Sequence, residues 1–253
     1  PAGISLVGLI AIRLWGKGKP TWVKYAGNWG SYPKQAWSYK LQRWYLEKNM
    51  HTGVVTINGR WPNQPAHVIS FDNPSFTEDE YRQAAQIAEK KQLTLPIKLL
   101  FVGRLTKAKG VDRVLQITKQ LLESDLQLQL TLVGDSQERS IFERFVNENG
   151  MADHIHFVGW QPKMKLSDYY RGAHFLIFPS ISEGWPKVLS EAMAHGVVPI
   201  ASAVGSIPQI LAETRAGLAL SATDTQSYVK AIIQYTQDAD SWKQASLNGI
   251  AAG

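Results

Sequence analysis

Two glutamates and two cations stand where the sequence changes from apolar to polar. Glu183 and Glu191 lie eight positions apart in SEGWPKVLSEAMA, and Arg104 and Lys109 lie in GRLTKAKG. An arginine fork beside a lysine point charge suits a diphosphate group. Phosphates would repel carboxylates, so the glutamates suit ribose or sugar hydroxyls and the positive charge that develops when a glycosyl bond breaks.

Each of these side chains also has a simpler explanation. Arg104 and Lys109 could simply belong to a basic loop that is exposed to solvent and binds no ligand. Glu191 would pair with Lys187 four residues earlier on a helix surface, a gain of about 0.2–0.5 kcal/mol. Glu183 would serve as a negative charge near a helix N-terminus. The spacing alone leaves both explanations open.

Apolar strands alternate with amphipathic helices from about residue 97 onward. Near-continuous apolar strands separated by helices indicate a parallel sheet covered on both faces. Such a sheet binds ligands in the crevice at the carboxyl ends of its strands. The predicted strands are residues 97–103, 128–134, 154–159, 173–179, 197–202 and 216–220.

The helix that carries Glu191 is predicted to begin near Pro186 and to run to His195. Its apolar residues form one inward stripe, and Glu191 is expected off that stripe. Because helical side chains lean toward the N-terminus, the carboxylate should point to the strand-end crevice. Glu183 is expected at the mouth of the same crevice.

The first 65 residues carry a shorter αβαβ pattern. Strands are predicted at residues 20–27 and 52–59, with a helix at 35–49 between them. The apolar run at residues 3–12 is predicted to be a buried helix, since it is too short to span a membrane.

A linker is predicted after this pattern at residues 60–67, RWPNQPAH. Thr77 and Glu80 have the spacing of a capping box, which marks the start of the next helix. We therefore expect a partial first domain with its linker at residues 1–76 and a second domain at residues 77–253.

Charge and tryptophan are concentrated in the first 65 residues. This part contains nine Lys/Arg, one acidic residue and six of the nine tryptophans, whereas the whole chain has a net charge of +6. A basic aromatic segment indicates either an anionic partner, such as a membrane surface, a phosphorylated lipid or a nucleic acid, or a buried aromatic core with a lysine rim. No recognised nucleic-acid motif is present. The absence of cysteine excludes disulfides and thiolate metal sites.

The motifs of residues 97–237 resemble those of the retaining glycosyltransferases of family 4 (glycosyltransferase group 1). They are VGRLTKAKG, LVGDS, FVGW, LSDYYRGAHFLIFPSISEGWPKVLSEAMAHGVVPIAS and AVGSIPQIL, in the family's order. The most specific is the glutamate pair separated by seven residues. The resemblance implies an α/β chain of GT-B type, with two Rossmann-like doubly wound parallel-sheet domains, of which the first is incomplete.

The resemblance also implies a role for each residue of a donor site. Arg104 and Lys109 would hold the donor's diphosphate, and with Glu183 they are the catalytic candidates. Glu191 would bind the ribose, and Glu183 would lie by the transferred sugar. Further donor contacts are expected from Gly103, Gly184, Trp185, Pro186, Gly159, Trp160, Gly205 and Ser206.

No cofactor or metal is expected beyond the donor, a nucleotide-diphosphate sugar of UDP or GDP type. The Asp-Ala-Asp stretch at residues 238–240 resembles a metal motif of another fold, but it lies in a polar helical segment away from any strand end. We interpret it as a chance match.

The sequence departs from the family pattern at two loops. Trp185 and Pro186 stand where Phe-Gly is common, and Pro186 removes one backbone donor. Gly205 and Ser206 open Gly-Ser-Ile-Pro-Gln, where Gly-Gly-x-Pro-Glu is common. The first domain is also shorter than the family's, so we expect an incomplete chain with little transferase activity alone.

These observations predict a retaining glycosyltransferase that moves a sugar to a glycan or lipid-linked acceptor. We expect it in the cytoplasm, with peripheral contact to the cytoplasmic membrane face through the basic aromatic part, and without a nucleic-acid partner. The alternatives are a non-catalytic nucleotide-sugar-binding fragment, or another GT-B enzyme such as a glycan synthase or a nucleotide-sugar epimerase.

Overall fold

The computed structural model describes residues 2–16, 19–30, 36–71 and 75–252. The chain forms two compact units. The first comprises residues 1–73 with Glu183–Trp185, and the second comprises residues 74–182 and 186–253. The division expected between residues 76 and 77 stays a prediction.

The first unit is built on a small parallel sheet with strand order β1-β2-β3. The αβαβ pattern is confirmed, and a third strand, which was not predicted, directly follows the predicted linker at residues 60–67. The core of this unit gathers Tyr25, Leu46, Val55 and Ile57. The elements are α1 (Ala2–Trp15), β1 (Trp22–Tyr25), α2 (Trp37–Glu47), β2 (Val54–Ile57) and β3 (Val68–Ser70).

Helix α1 is confirmed as a helix, but the expectation that it is buried is wrong. Leu9 is buried, whereas Val7, Ile10, Leu14 and Trp15 are exposed. The helix is apolar around most of its circumference, and within the first unit it packs chiefly against α2, so one narrow face is covered. No helix among the described residues has the length and apolarity needed to cross a bilayer.

The second unit holds a six-stranded sheet in which every neighbouring pair is parallel. All six predicted strands are confirmed to within two residues at each end. Its elements are α3 (Glu78–Ala88), β4 (Ile97–Val102), α4 (Val111–Leu122), β5 (Leu128–Val133), α5 (Arg139–Glu148), β6 (Ile155–Gly159), α6 (Lys163–Gly172), β7 (Phe175–Phe178), α7 (Lys187–Ala194), β8 (Val198–Ser202), α8 (Ile207–Thr214), β9 (Leu218–Leu220), α9 (Thr225–Gln237) and α10 (Ala239–Ala251).

The strand order β6-β5-β4-β7-β8-β9 reverses direction between β4 and β7. The chain moves outward from β4 to β6, returns through α6 to β7, and continues to the other edge. Right-handed connections place α4 and α5 on one face and α6, α7 and α8 on the other. The carboxyl ends of β4 and β7 therefore form the switch point at which open α/β sheets bind ligands.

Local signals fix the ends of several helices. The capping box is confirmed, since Glu80 accepts from the Thr77 N–H at 2.8 Å and Thr77 Oγ1 accepts from the Glu80 N–H at 3.3 Å. Gly150 follows α5 in the left-handed conformation, with φ of 66°. Asp238 accepts from the backbone N–H of Ser241 at 3.0 Å, so the first acid of the Asp-Ala-Asp stretch caps α10.

Candidate functional site

Three glycines line the carboxyl edge of the second sheet. The Gly103 N–H donates to Val133 O, and the Gly134 N–H donates to Gly159 O, each at 2.9 Å. A Cβ on Gly134 would lie 1.9 Å from Gly103 O, and φ of Gly134 is 135°. The carboxyl ends of β4, β5 and β6 therefore lie close together, and their glycines carry no side chains that would cover the backbone. Gly103 and Gly159 were predicted; Gly134 was missed as a site residue, although it ends a predicted strand.

The Arg104–Gly110 loop is fixed at the switch point. Thr106 caps a short 3₁₀ turn by accepting from the Lys109 N–H at 3.3 Å. Gly110 has φ of 85°, and a Cβ there would lie 2.3 Å from Pro179 O, at the end of β7. Arg113 donates to the same Pro179 oxygen at 2.9 Å. This role of Arg113 could not be predicted from local sequence, because its partner is 66 residues away.

The two predicted cations flank this switch point. Lys109 Nζ lies 5.8 Å from the ring centroid of Phe178, the last residue of β7. Arg104 is exposed directly after Gly103 and forms no salt bridge with any described residue. A nearby arginine, Arg139, is held by Asp135 at 3.3 Å and Glu143 at 2.7 Å. Arg104 is thus a cation available to an anionic ligand.

The remaining predicted loop residues of this unit also follow strand ends. Trp160 comes directly after β6 and is 74% exposed. Gly205 has φ of 60°, and the buried Ser206 is the N-cap residue of α8, after β8. Pro186 is the N-cap residue of α7. All four lie beyond the carboxyl ends of β6, β7 and β8.

Glu191 differs from the expectation that it lies off the inward-facing side of α7. It is buried, with 8% of its surface exposed, and its Oε2 accepts from the Tyr170 hydroxyl at 2.8 Å. The physical reason is that α3 and α6 cover α7 on the flank expected to be open. The proposed surface pair with Lys187 is therefore not what holds this carboxylate.

Glu191 lines a pocket of about 240 Å³ among α3, α6 and α7. Its wall includes Tyr170 and His195, and its rim includes Lys163 at the start of α6. Burial, followed by the negative charge of Glu191, raises the pKa of Tyr170 well above its usual value, so the phenol stays a proton donor. Burial lowers the pKa of His195, so this imidazole stays neutral.

Glu183, Gly184 and Trp185 group with the first unit rather than with the sheet that carries Arg104. The placement of Glu183 at the mouth of the strand-end crevice stays a prediction. The second unit brings together Gly103, Arg104, Lys109 and Gly159 along one edge of its sheet.

Comparison with known proteins gives a family match. The model of the glycosyl transferases group 1 family matches residues 79–251. D-inositol 3-phosphate glycosyltransferase 2 of Catenulispora acidiphila is 30% identical over 71% of this chain and 44% of its own length. O-antigen chain mannosyltransferase B of Escherichia coli is 29% identical over 82% of this chain and 59% of its own length.

Solved structures match the fold. Sucrose-phosphate synthase of Thermosynechococcus elongatus has a TM-score of 0.73 and 22% identity, covering 98% of this chain and 66% of that one. HepE of Anabaena, solved with UDP, has a TM-score of 0.73 and 17% identity, covering 99% and 71%. These likenesses confirm the predicted α/β fold class of GT-B type. The chain spans about half the length of the curated relatives described above, and it belongs to the glycosyl transferases group 1 family.

Proposed function

We propose that the protein is a retaining glycosyltransferase that takes a sugar from a nucleotide-diphosphate donor. The observation that carries this proposal is the edge of the second sheet. At this edge the backbone of the glycines is not covered by side chains, and Arg104 and Lys109 lie beside the switch point between β4 and β7. Backbone without side chains admits a phosphate closely, and two cations offset its charge. Among the fold relatives, HepE was solved with UDP and glucose, and GtfA with UDP and GlcNAc.

In this proposal the protein's own cations replace a metal ion. As the glycosyl bond breaks, negative charge builds on the leaving diphosphate, and Arg104 and Lys109 stabilise that charge by fixed positive groups. Glu191 accepts hydrogen bonds from the ribose. Glu183 lies by the sugar, where its carboxylate stabilises the positive charge that develops on the ring. The bond between the anomeric carbon and the diphosphate would break, a bond from that carbon to the acceptor hydroxyl oxygen would form with the anomeric configuration retained, and the hydroxyl proton would pass to the leaving diphosphate.

The rival proposals share the donor site and differ in the chemistry. One rival is a non-catalytic nucleotide-sugar-binding fragment. It would bind the nucleotide and transfer nothing. Another GT-B enzyme, a glycan synthase or an epimerase, would bind the nucleotide and form a different product.

Nucleotide binding tests the donor site. We expect UDP, GDP or ADP to bind the whole chain measurably in isothermal titration calorimetry, and the corresponding monophosphate to bind about tenfold or more weakly, because it offers fewer oxygens to the two cations. Equal affinity for a diphosphate and its monophosphate would contradict the proposed diphosphate site. Product analysis with a nucleotide-sugar panel then distinguishes transfer from binding alone.

We further propose that the acceptor is lipid-linked or an anionic glycan, met at the cytoplasmic membrane face by the first unit. The exposed face of α2 combines aromatic, apolar and basic side chains at helical spacing. They are Trp37, Lys40, Leu41 and Trp44, followed by the exposed C-cap residue Lys48. A helix face that combines aromatic and basic side chains suits an anionic bilayer surface.

Vesicle binding tests this contact. The double change Lys40→Glu and Lys48→Glu should reduce co-sedimentation with vesicles containing anionic lipid by about tenfold or more, since each lysine contributes about 1 kcal/mol near such a surface. The matched control is Lys90→Glu with Lys230→Glu, two exposed lysines of the second unit. Unchanged co-sedimentation of the α2 variant would refute the contact.

Two other cations, Lys34 and Arg43, belong to the same basic stretch of the sequence. Arg43 is half-buried and donates to Trp29 O at 2.9 Å and Gly30 O at 3.0 Å, so its charge reversal would disturb the fold of the first unit. Lys34 lies outside the described residues.

A further inference from the structure

The carboxylate of Glu191 has a built-in partner. The Tyr170 hydroxyl donates to Glu191 Oε2 at 2.8 Å, and both side chains are buried. A buried carboxylate oxygen without a hydrogen-bond donor would pay a large desolvation cost. The Tyr170 hydroxyl supplies that donor and selects one side-chain orientation of Glu191.

Tyr170 is itself held from two sides. Its ring stacks on that of His195, with centroids 5.4 Å apart and an interplanar angle of 27°. Its backbone oxygen accepts from Lys91 Nζ at 2.9 Å. His195 Nδ1 in turn donates to the Glu191 backbone oxygen at 2.8 Å, which closes a loop of contacts. The hydroxyl thus has little freedom to leave Glu191.

The geometry leaves the other carboxylate oxygen for a ligand. Glu191 lines the pocket among α3, α6 and α7, and α6 begins three residues after Trp160, which follows β6. Tyr170 donates to Oε2, and no described residue is seen to donate to Oε1, so Oε1 is the atom that can accept a hydrogen bond from a ligand hydroxyl.

We propose that Tyr170 is a positioning residue, which holds Glu191 so that Oε1 accepts from a ribose hydroxyl of the bound nucleotide. This inference rests on the proposed function, because it assumes that a nucleotide binds the second unit. It adds a residue that does not itself contact the ligand. If Tyr170 has this role, loss of its hydroxyl should weaken nucleotide binding only when the ribose hydroxyls are present.

The test combines a hydroxyl deletion in the protein with hydroxyl deletions in the ligand. Tyr170→Phe keeps the ring and removes the donor. The matched control is Tyr169→Phe, since Tyr169 is half-buried in the same turn of α6 and does not line the pocket. Calorimetry would compare whichever of UDP, GDP and ADP binds the wild type most tightly with its 2′,3′-dideoxy analogue.

We expect Tyr170→Phe to weaken binding of the ribonucleotide by about three- to tenfold, as for one hydrogen bond of modest net strength, and to leave the dideoxy analogue unaffected. Tyr169→Phe should change neither. Equal losses for both ligands would assign Tyr170 a merely structural role and overturn the inference, as would no loss at all. If the wild type bound none of the three diphosphates, the proposed function itself would fail.

Discussion

Replacing Gly134 with alanine is expected to lower the free energy of unfolding of the second unit by about 3–5 kcal/mol, a large fraction of the roughly 5–15 kcal/mol typical of a native domain. The added Cβ would lie 1.9 Å from Gly103 O and 2.9 Å from Gly103 C. Both atoms are backbone, so no side-chain rotation relieves the overlap. The backbone at φ of 135° is also unfavourable for a residue with a Cβ. Urea denaturation measures the loss.

Gly150→Ala is the matched control for this change. Gly150 also has a positive φ, of 66°, but nothing lies within 4 Å of its added Cβ. Its free energy of unfolding should fall only by the cost of placing alanine in the left-handed backbone conformation, about 1 kcal/mol. Similar losses for the two variants would show that the close approach of the β4 and β5 ends is not what requires glycine at position 134.

Arg104→Ala is expected to weaken binding of a nucleoside diphosphate by about 10- to 100-fold. Arg104 is exposed beside the bare Gly103 backbone, and no described carboxylate pairs with it. A charge-assisted hydrogen bond contributes about 1.5–3 kcal/mol, and 1.4 kcal/mol corresponds to tenfold in affinity. Because Arg104 is exposed, its loss should leave the free energy of unfolding almost unchanged, which thermal unfolding measures.

The sheet of the second unit could be predicted from the sequence because each strand is a short apolar run with its own polar boundaries. Strand β3 could not, since it has three residues and follows a segment rich in proline and polar side chains. Its pairing with β2 is what makes it a strand. The periodicity of apolar residues in the sequence does not show which strands pair.

In the candidate site, the residues at strand ends could be predicted, whereas contacts between elements distant in sequence could not. Arg104, Lys109, Gly103 and Gly159 follow strand ends, and the topology rule places all such residues on one edge. The surroundings of Glu191 could not be predicted in this way. Its burial comes from α3 and α6, which are distant in sequence, and helical periodicity identified only the apolar stripe of α7. The DYYRG segment contained Tyr170 but no local sign of its partner.

We propose above all that the edge of the second sheet binds a diphosphate through Arg104. The most direct measurement is the ratio of diphosphate to monophosphate affinity, determined by calorimetry for the wild type, Arg104→Ala and Lys107→Ala. Lys107 is an exposed cation of the same loop, so its variant matches the change in net charge. We predict that the ratio falls about tenfold or more in Arg104→Ala and stays at the wild-type value in Lys107→Ala. An equal fall in both variants, or an unchanged ratio in Arg104→Ala, would contradict the account.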